Sequence, residues 1–221
     1  MKIAIVAATR QEIEPFLNYL AERLYLKNHH RFTTIITGVG LVNTTYGLTK
    51  KFTLERPDLA IQAGIAGTLH HIFSPGHVLA IKDEVIGDMG VHEEDQWKDV
   101  FDLELADAGI FPFQDRKLIN PHKNLLAKTQ LITVRSITVN EITTNPDKIN
   151  QIIEKYAPVT ESMEGAGFHY VCLQEGIPFV QIRAISNYIG ERNKSQWKMT
   201  EAIDNLNQEL INFINKLTCP L

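Results

Sequence analysis

The stretch ESMEGAGFHYVCLQEGIPFVQIRAISN, residues 161–187, predicts the end of one strand, a helix and a complete second strand. The helix, at about 163–174, leads away from the sheet, and the strand 178–186 returns over roughly 26 Å. Glu164 follows the first strand and Asn187 follows the second. Both polar residues are therefore expected at the carboxyl edge of the sheet, where open α/β sheets bind ligands.

The rest of the chain alternates between strand and helix patterns. Further strands are predicted at 2–8, 32–37, 58–63, 77–86 and 131–139, and further helices at 8–24, 41–54, 146–156 and 195–217. The alternation predicts a three-layer α/β fold with a central mixed, largely parallel twisted sheet flanked by helices. The acidic segment 87–126 lacks this pattern. We interpret it as an insertion over one end of the sheet, within a single domain of residues 1–221.

Composition narrows the class of protein. The chain has 221 residues, of which 44% are hydrophobic and 22% charged, as in ordinary globular proteins with a substantial core. The net charge of −4 and the lack of a basic stripe argue against binding to nucleic acid. No apolar run approaches the length that spans a bilayer, so no membrane partner is predicted.

The cysteines and histidines do not form a metal-binding pattern. Cys172 and Cys219 are far apart, and the adjacent histidine pairs at 29–30 and 70–71 do not place both rings on one face. We therefore predict no metal and no cofactor. With only two cysteines, and with a strand rather than a signal peptide at the start, we predict a reducing, cytoplasmic location.

Five features follow the carboxyl ends of predicted strands. They are Glu12, Gly38–Gly40, Gly64–Gly67, Glu164 and Asn187. One such position would be unremarkable, but five together favour a pocket at this edge of the sheet. The glycines suit close approach of the backbone to a ligand, although a plain turn at 64–67 explains that segment equally well.

Glu12 has two open interpretations. Thr9 and Glu12 have the spacing of a capping box, which would make Glu12 part of a helix start. Pro15 would then lie inside the helix and remove a backbone hydrogen bond. A helix that begins nearer Pro15 would instead leave Glu12 in a loop that faces the pocket.

Glu164 and Asn187 have groups that suit a purine nucleoside. Glu164 could be a helix N-terminal charge, but its neighbours are apolar, and a buried carboxylate needs partners such as the hydroxyls of a ribose. Asn187 could be an ordinary turn residue. Its amide also matches a 6-oxopurine, because the NH₂ can donate to O6 while the oxygen accepts from a protonated N7.

Several segments, in this order, resemble the nucleoside phosphorylase and nucleosidase superfamily. They are MKIAIVAA followed by Glu12, then GVG, AGIAG, SMEGAG and RAISN, and they span nearly the whole chain. The resemblance is nearest to 5′-methylthioadenosine/S-adenosylhomocysteine nucleosidases. It implies a phosphorylase/hydrolase-like fold and a homo-oligomer, commonly a dimer. It also implies site roles: water activation at Glu12, ribose binding at Met163 and Glu164, and base binding at Ala66, Gly67 and Ile142.

Asn187 departs from that branch, which has Asp after RAIS to protonate N7 of adenine. An amide is not such an acid. Futalosine hydrolases, which remove hypoxanthine from futalosine in menaquinone biosynthesis, resemble this chain at Asn187. They also resemble it in GDMGVHEED and in ISNYIGERNKSQW, with Arg192, Asn193 and Trp197. This resemblance implies futalosine hydrolysis, with Glu12 and Asn187 as the catalytic residues.

Three alternatives to futalosine hydrolysis stay open. One is hydrolysis of 5′-methylthioadenosine or S-adenosylhomocysteine. Another is a purine nucleoside phosphorylase, which needs an anion site; Arg10 and Arg135 are the available cations, and Glu12 would repel phosphate. The third is a nucleoside-binding protein without catalysis. For the far, carboxylate-bearing end of futalosine the candidates are Arg192, Lys82 and Arg135.

Overall fold

The computed structural model describes residues 1–23 and 29–218. Its strands are β1 (Lys2–Ala7), β2 (Arg31–Ile36), β3 (Leu59–Thr68), β4 (Val78–Ile86), β5 (Gly90–Glu93), β6 (Gln96–Asp99), β7 (Leu118–Ile119), β8 (Thr133–Thr138), β9 (Thr160–Ser162) and β10 (Phe179–Tyr188). Its helices are α1 (Arg10–Glu22), α2 (Leu41–Leu54), α3 (Lys123–Thr129), α4 (Pro146–Tyr156), α5 (Gly165–Gln174) and α6 (Met199–Thr218), with a 3₁₀ turn at Lys194–Gln196. The predicted helix end at Leu24 and the interpretation of Cys219 lie outside the described residues.

The main sheet is mixed and partly closed on itself. Strands β2, β1, β3 and β10 are parallel neighbours in that order. From β10 the sheet continues antiparallel to β4, then parallel to β8 and β9, and β9 pairs antiparallel with β3. These pairings join β3, β10, β4, β8 and β9 into a ring. The predicted mixed, largely parallel sheet is confirmed, and the ring makes its end concave.

Helices cover both faces of the sheet and complete three layers. Side chains of β1 alternate between two cores: Ile3 and Ile5 contact α1 and α6, whereas Ala4 and Val6 contact α2 and α5. Burial on both faces explains why β1 is a continuous apolar run. In the described parts of the chain, no helix has both the length and the apolar character to cross a membrane.

Helix α1 begins earlier than the Pro15 argument predicted. Thr9 is its N-cap, and the backbone N–H of Thr9 donates to Glu12 Oε2 over 2.8 Å. Pro15 therefore lies inside the helix. The buried side chain of Asn207, in α6, bonds to backbone groups on both sides of Pro15. It accepts from Phe16 N over 3.0 Å and donates to Glu12 O over 2.8 Å. The capping-box interpretation of Glu12 is thus correct, and the loop interpretation is wrong.

Residues 64–67 lie inside β3 rather than in a turn after it, so the turn interpretation is also wrong. Backbone pairing continues through Gly64 and Gly67 to residues of β10, and Gly67 also pairs with Glu161 of β9. Asn187 likewise lies inside β10, beside a register shift after Ile185. Neighbouring strands pair with the backbone N–H and C=O groups of these residues. The strand therefore continues beyond the apolar part of its sequence.

The segment 87–126 contains more regular structure than its sequence predicted. Strands β5 and β6 form a hairpin, and β7 pairs with β4 of the main sheet. The hairpin is joined to α4 through Tyr156, which accepts from Trp97 Nε1 and donates to buried Asp99, both over 2.9 Å. Its acidic residues thus form specific bonds. The assignment of this segment to a single domain stays a prediction.

Candidate active site

A cavity of about 320 Å³ lies where β1, β3, β9 and β10 end. The residues predicted for the site that line it are Glu12, Ala66, Gly67, Ile142, Met163, Glu164 and Asn187. The fold thus brings all seven around one space, although they are distant in sequence. Their individual roles stay predictions.

Glu12 is almost fully buried at the cavity, with 7% of its surface exposed. Its Oε2 accepts from the N–H and the hydroxyl of Thr9, over 2.8 and 3.0 Å. Its Oε1 accepts from Ile65 N over 3.1 Å. These donors fix the orientation of the carboxylate. Glu12 is therefore both a helix cap and an oriented carboxylate at the cavity.

Glu164 is the N-cap residue of α5, and its carboxylate has the partners that its burial requires. Oε1 accepts from Gly40 N over 3.1 Å, and Oε2 accepts from Arg183 Nη1 over 3.3 Å. Gly40 has φ +100°, which favours glycine at this position. The carboxylate of Glu164 is therefore held at the cavity by a backbone donor and a buried arginine.

Arg183 is the main residue at the site that sequence reasoning missed. It is 1% exposed, and besides Glu164 it donates to Ile65 O, to Gln62 and to Gln181. A Cβ on Gly64 would lie 2.6 Å from Arg183 Nη1 and 3.0 Å from Glu12 Oε1. Glycine at position 64 therefore makes room for a guanidinium that is close to both carboxylates. The sequence did contain a clue, because Arg183 lies inside an apolar predicted strand. A buried charge there needs polar partners, which indicates a polar site nearby.

A third buried carboxylate, that of Glu84, is linked to Arg183. Gln181 accepts from Arg183 Nε and donates to Glu84 Oε1, each over 2.9 Å. Thr138 donates to Glu84 Oε2 over 3.0 Å. Burial raises the pKa of Glu84 to about 7, and the bonds from Gln181 and Thr138 oppose this shift. A continuous polar chain thus runs from the protein interior to Glu164.

Asn187 also lines the cavity, and its side chain bonds to neighbours in its own strand. Its Oδ1 accepts from the Ser186 hydroxyl over 2.8 Å, and its Nδ2 donates to Tyr188 O over 2.9 Å. These bonds fix which way the amide faces. They also leave one hydrogen on the nitrogen and one lone pair on the oxygen for a ligand.

One predicted cation reaches the cavity. Arg192 lines it and lies over the ring of Trp197, which also lines it, with 5.5 Å from Arg192 Cζ to the ring centroid. Lys82, Arg10 and Arg135 are not among the lining residues, and both arginines pair with carboxylates elsewhere. Of the candidates for the far end of a ligand, only Arg192 is therefore at the site.

Glu161 also lines the cavity and was not selected from the sequence. Burial raises its pKa to about 7, and the negative charge of Asp88 adds to the shift. Asp88 in turn accepts from Glu141 N over 3.0 Å in the loop that carries Ile142. The clue in the sequence was an acidic residue in a short buried strand beside SMEG.

The fold and the cavity define an α/β protein with an enzyme-like site for a small polar ligand. The sequence model of the phosphorylase superfamily matches residues 2–217, and the chain belongs to this superfamily. This confirms the resemblance recognised in the sequence motifs.

Relatives of two kinds match the chain. A 5′-methylthioadenosine/S-adenosylhomocysteine nucleosidase of Bacillus velezensis is 26% identical over 211 residues, which cover 87% of this chain and 88% of that protein. A futalosine hydrolase of Thermus thermophilus is 27% identical over 177 residues, covering 79% and 77%. The structure of a Helicobacter pylori futalosine hydrolase matches 97% of both chains with a TM-score of 0.81 and 18% identity, which shows a shared fold. Together the comparisons support nucleosidase, that is N-glycosyl hydrolase, activity for this chain.

Proposed function

We propose that this chain hydrolyses the N-ribosidic bond of futalosine, releasing hypoxanthine and dehypoxanthine futalosine for menaquinone biosynthesis. The observation that carries the proposal is Asn187. Its amide is oriented by Ser186 and Tyr188 and keeps one donor and one acceptor free at the cavity. This pair suits O6 and, once the departing base has taken a proton from solvent, N7–H of a 6-oxopurine; adenine is the poorer leaving group and would require a proton donor at the site, which an amide does not supply.

The carboxylate of Glu164 supports charge development on the sugar. Cleavage of the N-ribosidic bond leaves positive charge on the ribose and negative charge on the base. Glu164 binds the ribose hydroxyls in this mechanism and favours the cationic sugar, because its carboxylate is fixed in advance by Gly40 and Arg183. Fixed groups of this kind need no reorganisation when the charge develops.

Glu12 is the proposed acceptor of a proton from the attacking water. Its Oε1 and the Nη1 of Arg183 converge at the bare face of Gly64. Both hydrogens of Nη1 already bond to Ile65 O and Glu164, so a water beside Gly64 would donate to the Glu12 carboxylate alone, which orients its lone pair towards the sugar. The buried guanidinium also limits the electrostatic cost of two nearby carboxylates.

Charge at the cavity disfavours a phosphorylase. Among the described lining residues, Glu12, Glu161 and Glu164 are acidic, and Arg192 is the cation. Arg183 lies behind the lining and already pairs with Glu164. A phosphate at the sugar would face these carboxylates, while Arg192 is assigned in this proposal to the far end of the substrate, so water is the favoured nucleophile.

Hydrolysis of 5′-methylthioadenosine or S-adenosylhomocysteine is the second candidate. The Bacillus velezensis relative, which has that name, matches 87% of this chain and favours it. Asn187 weighs against it, since protonation of adenine N7 would have to come from another group. Arg192, beside Trp197, is our proposed partner for the carboxylate of futalosine, a group that 5′-methylthioadenosine lacks.

The test is incubation of the purified protein with futalosine, inosine and 5′-methylthioadenosine, each with and without phosphate. We expect hypoxanthine from futalosine at a rate that does not depend on phosphate. Preferential release of adenine from 5′-methylthioadenosine would replace the proposal with the second candidate. Release that requires phosphate would identify a phosphorylase, and binding without release would identify a non-catalytic protein.

A further inference from the structure

Glu161 is a buried carboxylate without the partners that the other cavity glutamates have. It is 5% exposed, and its Oε2 has no hydrogen-bond partner among the described residues. Glu12 and Glu164, with similar burial, each accept at least two hydrogen bonds. A buried carboxylate without partners is costly, and Glu161 also lines the cavity, where a ligand can supply a donor to its carboxylate.

The register of the sheet places Glu161 opposite Asn187 across a glycine. Gly67 pairs directly with Glu161 on β9 and with Asn187 on β10. Directly paired residues project from the same face of a sheet, and two strand spacings separate these two by roughly 10 Å. That span is comparable to the length of a purine edge with a hydrogen bond at each end.

The surface between these two residues is apolar. Gly67 has no side chain, and Ile189 occupies the room that a Cβ would need, with its Cδ1 2.1 Å from that position. A ring that lies against Ile189 therefore has the amide of Asn187 at one end and the carboxylate of Glu161 at the other.

We propose that Glu161 accepts a hydrogen bond from N1–H of a 6-oxopurine whose O6 and N7 are bound by Asn187. The inference rests on the proposed function and identifies a second residue that selects the base. N1 of a 6-oxopurine carries a hydrogen, whereas N1 of a 6-aminopurine is an acceptor. In its ionised form, the carboxylate of Glu161 therefore attracts the first base and repels the second, a discrimination that an apolar wall would not give.

The raised pKa of Glu161 is consistent with this role. Burial, together with Asp88, raises its pKa to about 7, so the unliganded group is poised between its two forms near neutral pH. A donor at N1 stabilises the ionised form. An unpaired carboxylate is thus kept in a cavity at moderate cost and becomes ionised when the matching base arrives.

The first test measures kcat/KM for futalosine and for its 6-amino analogue in Glu161→Met and Glu161→Gln. Methionine has similar size and no suitable acceptor, so the preference for the 6-oxo substrate should fall by roughly 10- to 100-fold. Glutamine keeps an acceptor oxygen and gains a donor for N1 of the 6-amino base, so it should give an intermediate preference. Glu141→Gln, an exposed change outside the cavity, is the matched control and should leave the preference unaltered.

The second test is calorimetric binding of free hypoxanthine and adenine to the same proteins, which does not depend on turnover. We expect Glu161→Met to weaken hypoxanthine selectively, by roughly 10-fold or more. A selectivity that stays within about twofold of the wild type in both assays would overturn the role of Glu161. If the wild type binds hypoxanthine but does not cleave futalosine, the proposed reaction fails while the inference stands; if it does not bind hypoxanthine, both fail.

Discussion

The polar residues that line the cavity form two sets that differ in how completely they are bonded. We call the set of Glu12 and Glu164 the bonded side, and the set of Asn187 and Glu161 the open side. On the side of Glu12 and Glu164, each carboxylate is held by backbone donors or by Arg183. On the other side, Asn187 bonds only within its own strand, and Glu161 Oε2 has no partner among the described residues. The first side is complete without a ligand, whereas the second has free donor and acceptor positions.

This difference suits a division of labour in the proposed reaction. Groups that stabilise developing charge act best when they are already fixed, because reorganisation during the reaction costs energy. Groups that select a base act best when a wrong base leaves them unpaired. The bonded side thus corresponds to the chemistry at the sugar and water, and the open side to recognition of the base.

Glu164→Gln should have the largest effect, because it acts on both turnover and folding. Loss of the negative charge should lower turnover by roughly a hundredfold or more. It should also lower the free energy of unfolding by about 3 kcal/mol, since buried Arg183 loses its direct ion pair. Steady-state kinetics and urea unfolding measure the two effects. Turnover close to that of the wild type would contradict the assigned role at the sugar.

Glu12→Gln should lower turnover by a similar factor, roughly a hundredfold, with a smaller effect on stability. The amide does not accept a proton from water. Its single oxygen can still accept from Thr9 but not also from Ile65, so the loss of stability should be only about 1 kcal/mol. Glu14→Gln is the matched control, because Glu14 lies on the same helix in an exposed pair with Arg10. If both variants turned over equally well, Glu12 would be only a helix cap.

Local patterns in the sequence predicted most of the architecture and the location of the site in the fold. The apolar run of β1 follows from burial on both faces, and the parallel strands β1 and β10 bring Glu12 and Asn187 to one edge, whereas Glu164 follows β9, which is antiparallel to β3. These features depend on residues that are close in sequence or on the direction of strands. They could therefore be predicted from the sequence.

The features that sequence reasoning missed depend on partners that are distant in the chain. Pro15 is accommodated by Asn207, whose bond to Phe16 N spans 191 positions, so the helix start was misjudged. Gly64 continues a strand because β10 pairs with it. Arg183 reaches Glu84 through Gln181, and the bond from Gln181 to Glu84 spans 97 positions. Such bonds exist only once the layers have assembled.

Asn187→Asp tests the open side with a smaller expected change. A carboxylate at this position would repel O6 of a 6-oxopurine, so release of hypoxanthine should fall by roughly tenfold or more. Release of adenine from 5′-methylthioadenosine should rise relative to hypoxanthine, because a protonated Asp can serve N7. Comparison of kcat/KM for the two nucleosides measures this shift. Unchanged hypoxanthine release would show that Asn187 does not recognise the base.

Glu161→Gln should have the smallest effect, a pH-dependent gain in stability. An unfolded glutamate titrates near pH 4.5, whereas burial beside Asp88 raises the pKa of Glu161 to about 7. The native state holds this proton more tightly, so the contribution of Glu161 to stability is complete below about pH 4.5 and is lost as pH rises through 7. A neutral glutamine avoids that loss. Glu84 has the same sign but is present in both proteins and cancels in the comparison.

The difference in Tm between Glu161→Gln and the wild type should therefore be small at pH 5 and positive at pH 8. Each kcal/mol of recovered stability corresponds to about 2–4 °C for a chain of this size. Glu141→Gln, an exposed change, should show no such trend. A lower Tm for Glu161→Gln at pH 8 would mean that the carboxylate stabilises the empty fold. Glu161 would then belong with the bonded side of the cavity, and its place in base selection would be lost.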